Sequence, residues 1–116
     1  MKRMSLLATV VTAAAVLAAN AGAATPKLNA SVSDPVNISL KAGAKKVTSL
    51  KAGKYTIVVK DTASDHNFHL IGPGVNKSTS VGGKATATWT VTLKKGTYKF
   101  QCDPHSSFMK GTFKVT

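Results

Sequence analysis

From Val36 onward the chain alternates apolar and polar residues in short runs. Val36, Ile38 and Leu40 alternate with Asn37 and Ser39, the period of two that turns one strand face to a core, and Ala42-Gly43 ends the run in a turn. Val47 to Leu50 reads as a second short strand. Ala52-Gly53 leads into Tyr55 to Lys60, a β-branched and aromatic run suited to a central strand. A loop over Asp61 to Asp65 precedes a strand from His66 to Ile71, which Gly72-Pro73-Gly74 stops. Val75 to Val81 is a weak or irregular strand, and Ala85 to Leu93 alternates Ala87, Trp89 and Val91 with threonines. Lys94-Lys95-Gly96 turns the chain into Thr97 to Cys102, and Gly111 to Val115 closes it. These runs predict one all-β domain over 36–116, an antiparallel sandwich or barrel with Tyr55, Trp89, Tyr98 and Phe113 in its core.

The first residues have another pattern. Lys2 and Arg3 precede an apolar run from Leu6 to about Ala19, followed by small residues at Ala21 and Ala23, which reads as an export signal over 1–23, cleaved after Ala23. The run is roughly 14 residues against the ~20 a spanning helix needs, so no transmembrane anchor is expected. Residues 24–35, small and polar with Pro26 and Pro35, read as a flexible leader. Roughly 93 residues remain, enough for one small domain and expected to be a monomer. The expected destination is the bacterial periplasm, or an extracellular or cell-envelope location.

Charge narrows the partners. The whole chain carries a formal +12, and after the signal all basic residues are lysines against Asp34, Asp61, Asp65 and Asp103. Scattered lysines without arginine clusters or interleaved aromatics argue against nucleic acid. Acidic proteins, or the anionic polymers and lipids of an envelope, are the expected counter-charges, attracted through a field that salt weakens.

Candidate chemistry is concentrated in Cys102-Asp103-Pro104-His105-Ser106-Ser107-Phe108-Met109, which puts a thiolate, an imidazole and a thioether on one short loop. A lone exported thiol has no internal disulfide partner, and metal ligation protects it from oxidation. His66-Asn67 supplies a second imidazole from far upstream, and two histidines, a cysteine and a weakly held methionine describe a blue copper centre. Tyr98, Phe100 and Cys102 share one strand face, so the thiol emerges at the end of a core strand, while the parity of Met109, Gly111, Phe113 and Val115 returns the thioether to the same pole. His66, Phe68 and Leu70 share the inward face. His69 then faces away, so its replacement is expected to leave colour and potential nearly intact. Pro104 has no N–H and removes a possible donor to the sulfur. Phe108 and Gly72-Pro73-Gly74 are expected to form an apolar collar at the His105 edge.

On the pair His66-Asn67, the motif Cys102-x-Pro104-His105 with Met109, and the entry from Leu93 to Phe100, the chain resembles the cupredoxins of the plastocyanin, amicyanin, pseudoazurin and azurin group over Val36 to Val115. The resemblance implies a Greek-key β-sandwich. It also implies one type 1 copper ion on His66 Nδ1, Cys102 Sγ and His105 Nδ1 with Met109 axial, and one-electron transfer to redox partner proteins with acidic docking patches. Asn67, by the same resemblance, points its backbone N–H at the sulfur and ties the two ligand segments together with its side chain. The loop is one residue shorter than the plastocyanin pattern and one longer than the amicyanin pattern. A copper-delivery or buffering protein is the alternative. An enzyme is not expected: only His66, His69 and His105 are present, and four protein ligands leave no open position for substrate.

Overall fold

The structure, a computed structural model, describes residues 25–116, and the export signal expected over 1–23 lies outside the described residues. Ten strands form two sheets: β1 (Lys27–Ser33), β2 (Asn37–Ala42), β3 (Lys45–Lys46), β4 (Ser49–Leu50), β5 (Gly53–Asp61), β6 (His69–Gly72), β7 (Val75–Ser78), β8 (Ala85–Leu93), β9 (Gly96–Gln101) and β10 (Lys110–Val115). One sheet has the order β3-β2-β1-β5-β8 and the other β4-β10-β9-β6-β7. Pairing is antiparallel except for β1 with β5 and β4 with β10. Among the described residues, no helix is long and apolar enough to cross a membrane.

Alternation builds the core between the sheets. Leu28, Ala30 and Val32 of β1, Tyr55, Ile57 and Val59 of β5, Val91 and Leu93 of β8, Tyr98 and Phe100 of β9, and Phe113 and Val115 of β10 are all buried. Phe68 stacks on Phe100 and Tyr98 on Phe113, with ring centroids 5.5 and 5.3 Å apart. Trp89 is only partly buried, against the edge of this cluster.

The structure corrects four sequence expectations. The flexible leader expected over 24–35 contains β1, in the middle of its sheet, so the domain already includes Lys27–Ser33 rather than starting at 36. Its three inward residues, Leu28, Ala30 and Val32, are at most 2% exposed, and that burial orders it. Val47 to Leu50 is not one strand, because the chain crosses between sheets at Val47, leaving β3 in one and β4 in the other. The strand expected to start at His66 starts at His69, since 66–68 are buried but Phe68 bonds to Thr79, its N–H donating to the hydroxyl and its carbonyl accepting from the Thr79 N–H, rather than entering the ladder. The parallel β1–β5 pair makes the first sheet mixed rather than purely antiparallel.

The Tyr98 ring lies directly on Gly72. Its hydroxyl donates to the Pro73 carbonyl and accepts from the Lys94 N–H, both at 2.8 Å. A Cβ at Gly72 would sit 2.1 Å from that ring. Gly72→Ala is therefore expected to cost about 2 to 3 kcal/mol by overpacking, read from the urea midpoint. A loss below about 0.5 kcal/mol would show that the ring can give way.

Candidate metal centre

The β9–β10 hairpin carries the cysteine loop. Its ladder pairs Gln101 with Lys110 and continues one step further, where the Cys102 N–H donates to the Met109 carbonyl at 3.0 Å. Inside that closure, Asp103–His105 form one 3-10 turn with Pro104 in its first turn, where a missing N–H costs nothing. The Met109 N–H donates to the His105 carbonyl at 2.8 Å, and that of His105 to the Cys102 carbonyl at 3.1 Å. The loop is thus tied to itself by its own backbone. Cys102 is completely buried and Met109 is 1% exposed, whereas His105 is half-buried.

His66 arrives from the other side, on the segment between β5 and β6. Its Nε2 lies 2.7 Å from the Pro35 carbonyl oxygen. A carbonyl only accepts, so Nε2 holds the proton and Nδ1 presents a lone pair inward. His66 Nδ1 is 3.1 Å from His105 Nδ1, and Cys102 Sγ is 3.6 and 3.5 Å from those two nitrogens. A point equidistant from all three atoms lies about 2.0 Å from each, within the bond lengths of a first-row ion to imidazole and close to those to thiolate. Without a metal, a proton on the sulfur or on His105 Nδ1 can be shared across these contacts, and with all three lone pairs turned inward the same spacing accommodates a cation. The donor set and its dimensions therefore fit a metal ion.

Asn67 joins the two ligand segments. Its Oδ1 accepts from the Asp103 N–H at 2.7 Å, and its Nδ2 donates to Asp103 Oδ2 at 2.9 Å and to the Thr79 carbonyl at 3.3 Å. Asp103 also accepts from Gln101 Nε2 and from His69 Nδ1, both at 2.8 Å, while His69 Nε2 donates to Asn76 Oδ1 at 2.6 Å. His69 thus faces away from the three converging atoms but holds the residue next to Cys102. Sequence reading missed this partner of Asp103, because the two residues meet only through the pairing of β6 with β9.

The pair shifts both titrations. Burial alone would lower the His69 pKa, but its bonds to Asn76 and Asp103 and the Asp103 charge outweigh burial and nearby Lys99, and raise it above 6.5. Burial would raise that of Asp103, but bonds from Gln101, His69 and Asn67 hold it below its ordinary value. For His69, a raised folded value means stabilisation that is complete below the unfolded pKa and lost as pH rises through the folded one. The melting temperature of the metal-free protein should thus exceed that of His69→Gln most below about pH 6.5, with the gap narrowing at higher pH. A pH-independent gap would place the contribution in packing rather than charge.

The expected apolar collar is only half present. Phe108 is 58% exposed, its ring centroid 5.5 Å from that of His105. Gly72-Pro73-Gly74 lies at the opposite end: β6 pairs Ile71 with Lys99, and Pro73 packs on Gly96, six residues before Cys102. The β6–β9 register carries the turn away from the ligand loop. Around His66 the neighbours are instead Asp34 and Asp65, whose carboxylates lie 3.5 and 3.7 Å from Nε2.

A sequence model of the family described as a Cupredoxin-like domain matches residues 4–115. No curated protein sequence matches the chain. Among solved structures, reduced rusticyanin is similar at 18% identity and a TM-score of 0.56, with 78% of each chain covered. A structure titled as the copper protein rusticyanin is similar at 17% identity and 0.57, covering 78% of this chain and 76% of that one. Rusticyanin from Thiobacillus ferrooxidans is similar at 19% identity and 0.54, with the same coverage. At such identities the likeness is one of fold.

Proposed function

Because the chain belongs to the cupredoxin-like family, we propose that it is an exported blue copper protein that carries one electron at a time between partner proteins. The observation that carries this reading is the buried triangle of His66 Nδ1, His105 Nδ1 and Cys102 Sγ, with sides of 3.1 to 3.6 Å. Met109, buried at the closure of the same loop, would be the weakly held fourth ligand, completing a donor set that suits copper. The similarity to rusticyanin, a copper protein, supports the metal assignment.

When bound, copper supplies the one-electron Cu(I)/Cu(II) couple. The chain's own residues hold the donors still. The Pro35 carbonyl fixes the His66 tautomer, the loop backbone bonds fix Cys102 and His105, and Asn67 locks the upstream segment to Asp103. Donors held by such partners have little room to rearrange between oxidation states. Pro104, with no N–H, leaves the Asn67 backbone as the proposed donor to the sulfur. The half-buried His105, with exposed Phe108 beside it, is the proposed exit for the electron.

A delivery or buffering protein needs an exchangeable site, and a thiolate with no exposed surface disfavours exchange. Enzymatic chemistry is disfavoured by the four-ligand set, which leaves no position for substrate. The proposed partners are redox proteins with acidic docking patches, drawn in by the lysine-rich body, in which Lys110 directly follows the ligand loop. The rate of electron exchange with an acidic redox protein should fall severalfold as ionic strength rises past about 0.1 M, where the Debye length is ~10 Å, with the copper spectrum unchanged. A carrier also keeps its copper through many turnovers in the presence of a competing chelator. Rapid loss of metal on that timescale would favour delivery.

A further inference from the structure

Charge and apolar surface are sorted to opposite ends of this domain. All four aspartates lie toward the metal end: Asp34 and Asp65 beside His66, Asp103 in the ligand loop, and Asp61 at the end of β5, bonded to Thr79. Among the described residues, the exposed large apolar ones, Val36, Val81 and Phe108, belong to that end as well. Val36 follows the carbonyl that holds His66, and Val81 sits on the connection between Ser78, which pairs with His69, and Ala85, which pairs with Asp61.

The far end is different. Gly53 pairs with Leu93 and Lys114 with Thr97 and Ser49, while the Ala52 N–H donates to the Thr116 carbonyl. This pairing gathers exposed Lys51, Lys54, Lys94, Lys95 and Lys114 at one pole, with no aspartate and, among the described residues, no exposed large apolar residue beside them. Gly96 to Cys102 is six residues of extended chain, so the pole stands roughly 20 Å from the thiol.

We propose that this lysine pole is a docking surface for an anionic lipid bilayer, which holds the domain with its metal end outward. A specific protein interface needs aromatic, Met or Arg anchors in a desolvated centre and is depleted in lysine, which describes the opposite of this pole. Diffuse attraction to anionic headgroups needs only clustered lysines, each contributing about a fivefold gain in partitioning. Occupying the pole also solves an orientation problem. An acidic redox partner would otherwise be drawn to the five lysines and held far from His105, whereas on a bilayer only the metal end, with Phe108 and Val36, remains open to it. This second consequence rests on the copper reading; the surface binding does not.

The test compares the full chain with two variants of equal net charge, one with Lys51, Lys54, Lys94, Lys95 and Lys114 changed to Gln, the other with Lys60, Lys77, Lys84, Lys99 and Lys110 changed to Gln. Each is co-sedimented, metal-free and copper-loaded, with vesicles of phosphatidylcholine alone or with about a third phosphatidylglycerol. Because all three proteins share residues 1–24, any contribution of that segment cancels. The unmodified chain should bind only the anionic vesicles, with or without copper. The far-pole variant should lose more than tenfold in partitioning and the metal-end variant less than threefold. Equal losses in the two variants, no loss in the first, or no binding of the unmodified chain would overturn the proposal. Visible absorption of the copper-loaded samples reports separately on the metal assignment, so that its failure is distinguishable from failure of the docking surface.

Discussion

Cys102→Ser abolishes the intense visible absorption expected of the copper(II)-loaded protein. That absorption comes from charge transfer between a thiolate and Cu(II), and Cys102 is the chain's single cysteine. No other side chain can replace it as a soft anionic donor. The Cys102 sulfur completes the triangle with the two imidazole nitrogens, at 3.5 and 3.6 Å, so serine leaves those nitrogens with a harder and less basic third partner. The fold should survive, since a buried hydroxyl replaces a buried thiol of similar shape; metal-free melting within a few degrees of wild type checks this. A variant that keeps its colour would place the chromophore elsewhere.

The second large effect is at His66. His66→Ala is expected to bleach or recolour the site and to weaken copper binding by more than the 10- to 100-fold typical of losing a residue that merely orients a ligand. The imidazole is 1% exposed and bonded through Nε2 to Pro35, so its loss removes a donor already aligned and opens a cavity that water can enter. His69→Ala is the matched control. It removes a histidine three positions away whose nitrogens engage Asp103 and Asn76, and the intense band should persist. Its potential has reason to move, because the Asp103 carboxylate beside Cys102 would lose a hydrogen-bond donor; the expectation from strand parity alone, of a nearly intact potential, omits that contact. The reverse colour pattern, with His69→Ala bleaching the site, would overturn the ligand assignment.

Much of this was legible in the sequence because the information is local. Alternation along β5, β8, β9 and β10 reports burial directly, and the parity of Tyr98, Phe100 and Cys102 places the thiol at the end of a core strand. Where local pattern and sheet pairing part company, the reading failed. Leu28, Ala30 and Val32 do alternate, but the small polar composition between Pro26 and Pro35 masked a strand held in place by neighbours on both sides. The sheet switch at Val47 has no local signature, since an exposed lysine pair followed by Val47, Thr48 and Ser49 fits one strand as well as two. The displaced Gly72-Pro73-Gly74 turn has the same origin: its residue types suited a collar, and only the β6–β9 register shows which end it occupies. Long-range partners were beyond reach for the same reason. Pro35 and His66 are 31 residues apart, and His69 and Asp103 are 34.

The central claim, that His66, Cys102 and His105 hold a blue copper ion with Met109 as a weak fourth ligand, is tested most directly by titrating the metal-free wild-type protein with Cu(II) while recording visible absorption. An intense thiolate-to-copper band should grow linearly and saturate at one equivalent. Saturation at one bound Cu(II) with only weak d–d absorption would contradict it.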